Sequence, residues 1–362
     1  MNWPTTIFLI STLILTVTAT PAYALFYGID WYQWALFLSL FLATGLSITL
    51  GYHRLFSHRS FQAKWPVRLF VLLFGAASFE GSAISWVSDH RYHHKHVDHD
   101  EDPYDIRKGF FYAHMGWLFV KLQPERSLDN VRDLLSDPLC RWQHKFIVPV
   151  AFFVGFGLPT ALGALHSGWI GALGGFLVGG VARVVAVQQM TFFINSLCHL
   201  VGAQPYSSRC TARDSWIMAL FTFGEGYHNF HHEFQHDYRN GVKPWQWDPT
   251  KWTIWLLHRI GLVTNLRRVP SERILLAELV AAQHRIHSHL SRLPARDSMG
   301  RLVAAWYECL HQVAASLSTY REELSAALEE KKRLPQEALL MIRREIRLAL
   351  AHLKPGTSLM AS

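Results

Sequence analysis

Two segments of this chain repeat one spacing, His90-Arg-Tyr-His93-His94 and His228-Asn-Phe-His231-His232. Side chains at i, i+3 and i+4 project from one face of a helix about one turn apart, so each segment presents three imidazoles together. A third segment, His53-Arg-Leu-Phe-Ser-His58, adds two more, and Asn195-Ser-Leu-Cys-His199 adds one. Nine imidazoles gathered in one place repel when protonated and lose hydration when buried. A divalent metal removes both penalties, because neutral imidazole is a common metal ligand. A zinc site takes roughly three or four protein ligands, so nine suit two ions with wider shells. An all-nitrogen neutral shell fits iron, copper or zinc better than magnesium or calcium. His96, His99, His114, His144, His166, His236 and His258 fall outside these frames and are not expected to bind metal. Cys140, Cys198, Cys210 and Cys309 are scattered with no Cys-x-x-Cys pair, so a zinc ribbon or redox dithiol is unsupported.

Such a centre needs elements that deliver every box to one side of a barrier. Half of the chain is hydrophobic, with 14 Trp and 23 Phe, yet its mean hydropathy is only slightly positive. Apolar spans attached to polar regions produce that combination. Residues 7–25 and 34–52 approach the roughly 20 residues that cross a bilayer, and so do 146–165 and 169–193. Within each pair the link is short and has no Lys or Arg. Between the pairs lie Arg54, Arg59, Lys64, Arg68, Arg91, Lys95, Arg107, Lys108 and Lys121. The positive-inside rule places that stretch in the cytoplasm and both short turns outside. The net charge of +8 then suits an anionic membrane surface, and no nucleic-acid partner is expected. Ala22-Tyr23-Ala24 imitates a signal-peptidase site, but residues 1–6 carry no positive charge, so the first span is expected to be retained.

Residues 67–87 are apolar but broken by Arg68, Glu80, Ser82 and Ser85. A crossing there would separate His53 and His58 from the second box, so the segment is expected to be a buried or interfacial helix. Arg183 falls inside the fourth span, where a charge costs about 2.5–3.5 kcal/mol. It should snorkel, pair internally or form a polar approach to the site. Beyond Pro270 apolar residues recur at helical spacing, among them Leu275, Leu279, Ile286, Leu310, Leu317, Ile342 and Ile346, with charges on the other faces. The expected fold class is all-α and integral to the membrane. Four transmembrane helices in two hairpins carry a cytoplasmic helical cap with both termini on its side. Residues 1–270 form one domain, and 271–362 form a soluble amphipathic helical extension that the chemistry does not require.

The order and spacing of the boxes resemble the stearoyl-CoA-type (delta-9) acyl-CoA desaturases, over residues 25–268. The likeness extends to Asp89-His90-Arg91, Asp102-Pro103, Gly109-Phe110-Phe111, His114-Met-Gly-Trp117, Pro205-Tyr206 and Gly224-Glu-Gly-Tyr-His228. It implies a mushroom-shaped helical membrane protein that uses O₂ to place a cis double bond in a long acyl chain. Two iron ions would be held by His53, His58, His90, His93, His94, His199, His228, His231 and His232, with Asn195 acting through a water. Trp86 and Trp117 would be among the substrate-binding residues, and Arg107 and Lys108 would meet the phosphates of coenzyme A. Ser88 stands where animal members have a carrier-binding arginine, so an acyl-lipid substrate is the alternative carrier. With no His-Pro-Gly-Gly haem segment in the sequence, electrons are expected from a separate ferredoxin or cytochrome b5 and an NAD(P)H reductase. A fatty-acyl or alkane hydroxylase can share the same ligands. A metal transporter would need ligands within the spans, whereas these lie at their ends.

Overall fold

Among the described residues, three helical stretches are long and apolar enough to cross a membrane: Trp3–Tyr27, Trp31–Ser57 and Ile147–Leu200. The computed structural model, in which they are seen, describes residues 1–121, 127–291, 301–351 and 353. The third stretch reaches 54 residues because it doubles back. Ser167 and Gly168 leave helical geometry there, Gly168 at φ +63°, which glycine adopts without a Cβ clash. The returning arm packs backbone against backbone. A Cβ on Gly163 would sit 2.0 Å from the Gly171 carbonyl oxygen, so a larger residue would push the arms apart. This reversal falls in the link expected between 146–165 and 169–193.

The turns at the far ends are tied to one another. Asp30 caps the second stretch by accepting from the Gln33 backbone (2.8 Å), and its other oxygen lies 3.0 Å from His166 Nε2. Tyr23 accepts from Gln33 Nε2 and donates to the Ile170 carbonyl. From Gln33 to His53 the helix rises about 30 Å, the thickness of a hydrocarbon core. The histidines therefore lie at the end opposite the turns.

The second stretch does not stop at residue 52. It widens to π-helical bonding over Ser47–Ser57 and carries His53 and Arg54 beyond the expected boundary. Arg54 can continue an apolar helix because its charge is met in place by Glu225 and Asp248. Residues 67–87 also differ from the single helix expected. They divide between Trp65–Ala76 and Ala83–His96, with Phe79 and Gly81 at positive φ in the turn. Ser82 accepts from the Ser85 backbone and starts the helix that carries the second box.

Arg183 neither snorkels nor pairs with an acid. It is 0 % exposed and donates to the backbone carbonyls of Ala77 (2.7 Å), Gly155 (2.7 Å) and Gly179 (3.2 Å). Ala77 ends the Trp65–Ala76 helix, and Gly155 lies in a π-helical turn, Phe153–Gly157. Both are places where carbonyls lack helical partners. The charge thus fills gaps left by two neighbouring helices.

Beneath the boxes a core of Ile48, Tyr52, Leu55, Val71, Leu72, Ile84 and Val87 joins the second apolar stretch to the two helices that follow it. One departure from an all-α fold is a two-residue antiparallel pair, Gln62–Ala63 with Val263–Thr264. The C-terminal helices are Ser271–Leu290, Arg301–Glu329 and Gln336–Ala351, and Leu279, Leu310, Leu317 and Ile342 form their shared core. Residues 292–300, 352 and 354–362 of the expected extension lie outside the described residues. The extension also touches the region that carries the third box. Ile274 packs against Tyr206, Phe230 and Phe234, and Phe230 stands between His228 and His231.

Replacing Arg183 with Ala should strand two of these carbonyls in an apolar setting and cost about 3 kcal/mol or more. Thermal unfolding in detergent should show a clear drop for Arg183→Ala and almost none for Arg141→Ala at the surface.

Candidate metal centre

Four short pieces of chain carry the nine imidazoles. His53 rides the π-helical end of the second apolar stretch, with His58 one residue past it. His90, His93 and His94 share one face of Ala83–His96. His199 follows the second arm of the long reversal on Leu197–Leu200, and the last three lie on His228–Glu233. These pieces gather the side chains into two groups: His53, His58, His90, His94 and His231, and His93, His199, His228 and His232. Within each group the ligand atoms lie within 4.8 Å of one another. Nε2 atoms face each other at 3.0 Å (His53–His231), 2.9 Å (His58–His90), 3.0 Å (His94–His231), 3.1 Å (His199–His228) and 3.0 Å (His228–His232). The two groups adjoin, for the His94 and His232 rings stack at 4.3 Å.

Whether these residues fit a metal depends on which nitrogen carries the proton. His93 Nδ1 lies 2.9 Å from both Asp102 oxygens, and a carboxylate can only accept, so that Nδ1 holds the proton. Its Nε2 is left as a lone pair aimed into the group. His53 Nδ1 sits 2.8 Å from Glu225 Oε2, and His199 Nδ1 2.8 Å from the Thr211 hydroxyl. Burial, aided by the neighbouring imidazoles, holds His58, His90, His94, His228, His231 and His232 well below the ordinary histidine range. Neutral rings with inward lone pairs about 3 Å apart match adjacent ligands around an ion bonded at about 2.1 Å. The donor set fits two metal ions.

The outer partners went unrecognised in the sequence. Arg54, 1 % exposed, joins Glu225 (2.8 Å), Asp248 (3.0 Å) and the Tyr238 carbonyl (2.8 Å). Burial raises the Glu225 carboxyl, but Arg54 and His53 outweigh it and leave it below the ordinary range. Arg91, inside the second box, donates to the Phe56 and Ser57 carbonyls and to Asp133, locking the first box to the second. The arginines within the first two histidine boxes were the available signal, since a charge there needs a buried partner.

A cavity of about 240 Å³ opens onto the centre. His53, His90 and Asn195 form part of its wall, Trp86 and Trp117 another part, and Phe8, Leu9, Ile48, Phe79 and Phe192 make the rest largely apolar. Trp86 stacks on His90 at 4.9 Å and donates to Glu80 (3.2 Å), a polar lining residue the sequence did not flag. Arg107 and Lys108 are not brought to this cavity. Arg107 pairs with Asp105 and Asp100, and Lys108 reaches the Asp100 carbonyl. Ser88 donates to Asn130 (2.8 Å). The other histidines bond elsewhere: His114 to Ser196 and Gln189, His144 to Ser82, and His236 to the His58 carbonyl.

Apolar helices that end in a two-part histidine cluster beside a largely apolar cavity fit a membrane protein with a metal site. The chain belongs to the fatty acid desaturase family, whose sequence pattern matches residues 29–262. Acyl-CoA desaturase 1 of Saccharomyces cerevisiae is 44 % identical over 251 residues, covering 69 % of this chain and 49 % of that one. The chain thus spans about half the length of that relative. Stearoyl-CoA desaturase 5 of Bos taurus is 35 % identical over 249 residues, 67 % of this chain and 72 % of its own. The sn-1 stearoyl-lipid 9-desaturase of Anabaena variabilis is 36 % identical over 271 residues, 74 % of this chain and 94 % of its own.

Two outcomes test this reading of the site. Asp102→Ala should free the His93 ring, so that metal leaves the four-histidine group at a chelator concentration roughly 10–100-fold lower. Elemental analysis after graded chelation checks it, with Asp100→Ala as the exposed control. Glu80 offers a pH test, since burial pushes its carboxyl up to about 8 against the lowering by Thr191 and Trp86. The folded protein holds a proton that the unfolded chain releases near the ordinary 4.5, so this contribution is complete below 4.5 and lost as pH rises through 8. The melting temperature of the wild type relative to Glu80→Gln should fall across that window and level off above it.

Proposed function

We propose that this protein is an O₂-dependent fatty-acyl desaturase that places a cis double bond, at the delta-9 position, in a long saturated acyl-CoA. The observation that carries the reading is two adjoining groups of imidazoles, nine in all, of which His53 and His90 form part of the wall of a largely apolar cavity. Family membership and the names of the relatives support it. The overall change is one CH₂–CH₂ unit, one O₂, two electrons and two protons giving one CH=CH unit and two waters. Two iron ions held by the nine histidines, with Asn195 acting through a water, would supply the oxidising power to break two unactivated C–H bonds.

The chain's own residues do the positioning. Apolar walls from Phe8, Leu9, Ile48, Phe79 and Phe192 take up methylenes and exclude water, so that one adjacent pair is held beside His53 and His90. Trp86, anchored by Glu80 and stacked on His90, presses the substrate toward the centre, and Trp117 closes the same wall. Arg107 and Lys108 meet the carrier's phosphates at the exposed surface. Electrons come from a ferredoxin or cytochrome b5-type donor. The apolar stretches cross the membrane four times, counting both arms of Ile147–Leu200, with the histidines and both termini in the cytoplasm.

One alternative concerns the carrier. Ser88 offers no charge, Arg107 is already paired, and the Anabaena relative named for a lipid substrate matches over nearly its whole length. An acyl-lipid carrier is therefore the second reading.

Expression in a desaturase-deficient host, with gas chromatography of total fatty acids, tests the activity. An olefin at C9 without a hydroxy acid is expected, and His94→Ala or His232→Ala should abolish it. A hydroxylated product would replace the desaturase reading with a hydroxylase. Acyl-CoA and acyl-lipid supplied separately to membranes then separate the carriers.

A further inference from the structure

A second cavity, of about 1060 Å³, lies where the C-terminal helices meet the region behind the third histidine box. It shares no lining residue with the cavity at the histidines. Nine lysines and arginines line it against two carboxylates, Glu272 and Glu278. Lys243 comes from the loop after the third box, while Arg343 and Arg347 come from Gln336–Ala351 one helical turn apart. All three cations converge on Glu278, and Arg343 Nε lies 3.9 Å from its Oε2. Burial still lifts the Glu278 carboxyl above its ordinary range, which makes it a poor counter-charge. Arg343 Nε is buried without a hydrogen-bond partner among the described residues. Arg285 is half-buried, and its Nε bonds the Ala281 carbonyl of its own helix.

Cations gathered in a partly dry cleft repel one another unless an anion joins them. A bundle that had only to pack on the cap would place apolar side chains there, as it does at Ile274 and Phe230. Guanidinium forks match phosphate oxygens in pairs. The cleft also has an apolar side in Val242, Leu339 and Ile346, and Trp245 on its wall is 79 % exposed. An anion with an apolar or planar body suits both features.

We propose that this cleft binds an organic phosphate, with the phosphate among Lys243, Arg343 and Arg347 and its apolar or planar part against Trp245. Two sources share that chemistry, a soluble nucleotide-like phosphate and the head group of an anionic phospholipid. Ile274 lines the cleft and packs on Phe230, so an occupant bears on the seat of the third box. The site does not depend on which reaction the histidines catalyse.

The full-length, metal-loaded protein tests it in two arms. In detergent, calorimetric titration with adenosine 3′,5′-bisphosphate and with pyrophosphate reads the soluble source. In nanodiscs, quenching of tryptophan fluorescence by brominated phosphatidylglycerol, against brominated phosphatidylcholine, reads the lipid source, and Trp245→Phe isolates the reporting ring. Saturable binding in either arm, weakened about tenfold or more by Arg343→Gln with Arg347→Gln, is expected. Metal content and melting temperature confirm that this variant is folded. Should it lose its metal, Arg347→Gln alone, at an exposed position, should show a smaller loss. No binding in either arm, or binding that survives in the folded variant, overturns the proposal.

Discussion

The buried guanidinium of Arg54 is the point on which the rest of the site hangs. It sits at the end of an apolar helix and bonds to the third box through Glu225, to the start of the Pro249–Arg259 helix through Asp248, and to the Tyr238 carbonyl. Glu225 turns its other oxygen to His53, so one ion pair joins the second apolar stretch to the histidine cluster. Removing one partner of such a buried group costs about 3–5 kcal/mol, because the other charge is left without solvent. That penalty makes the arrangement all-or-none and keeps box one and box three in register.

The two arginines that interrupt apolar helices are accommodated by different means. Arg54 meets the carboxylates of Glu225 and Asp248, and Glu225 also serves His53. Arg183, deeper in the helices, meets carbonyl and hydroxyl oxygens among the described residues, with the Ala77 and Gly155 carbonyls at places where two neighbouring helices break or widen. Each charge is tied to a backbone irregularity, and each irregularity aims something at the cavity: His53 from the π-helical end, and Phe79 and Glu80 from the turn after Ala77. Burial does the complementary work on the imidazoles. It depresses their proton affinity, which leaves lone pairs where a cation is needed.

The C-terminal helices bind themselves to this centre by two unlike surfaces. At Ile274 the contact is apolar and reaches the back of Phe230, one residue from His231. Ile274 also lines the basic cleft, as does Glu278 one helical turn further along. An extension with no box residue can therefore still influence how firmly the third box is held.

The sequence by itself determined the boxes, the apolar stretches and the amphipathic C-terminal helices, because each is a local pattern. His90, His93 and His94 share a face by helical geometry alone, whatever surrounds them. The reversal near Ser167 was legible for the same reason, since small residues and a gap in hydropathy mark it locally. Only the tertiary structure decided the division into five and four. His53 and His231 are far apart in the chain, and no spacing rule says which distant nitrogen shares an ion. It also decided the partners of the charged residues, moving the helix end from residue 52 to Ser57 and dividing 67–87 in two. An arginine reads as a helix-breaker in an apolar run until the carboxylate or carbonyl that neutralises it is brought alongside, and that neighbour comes from another part of the chain.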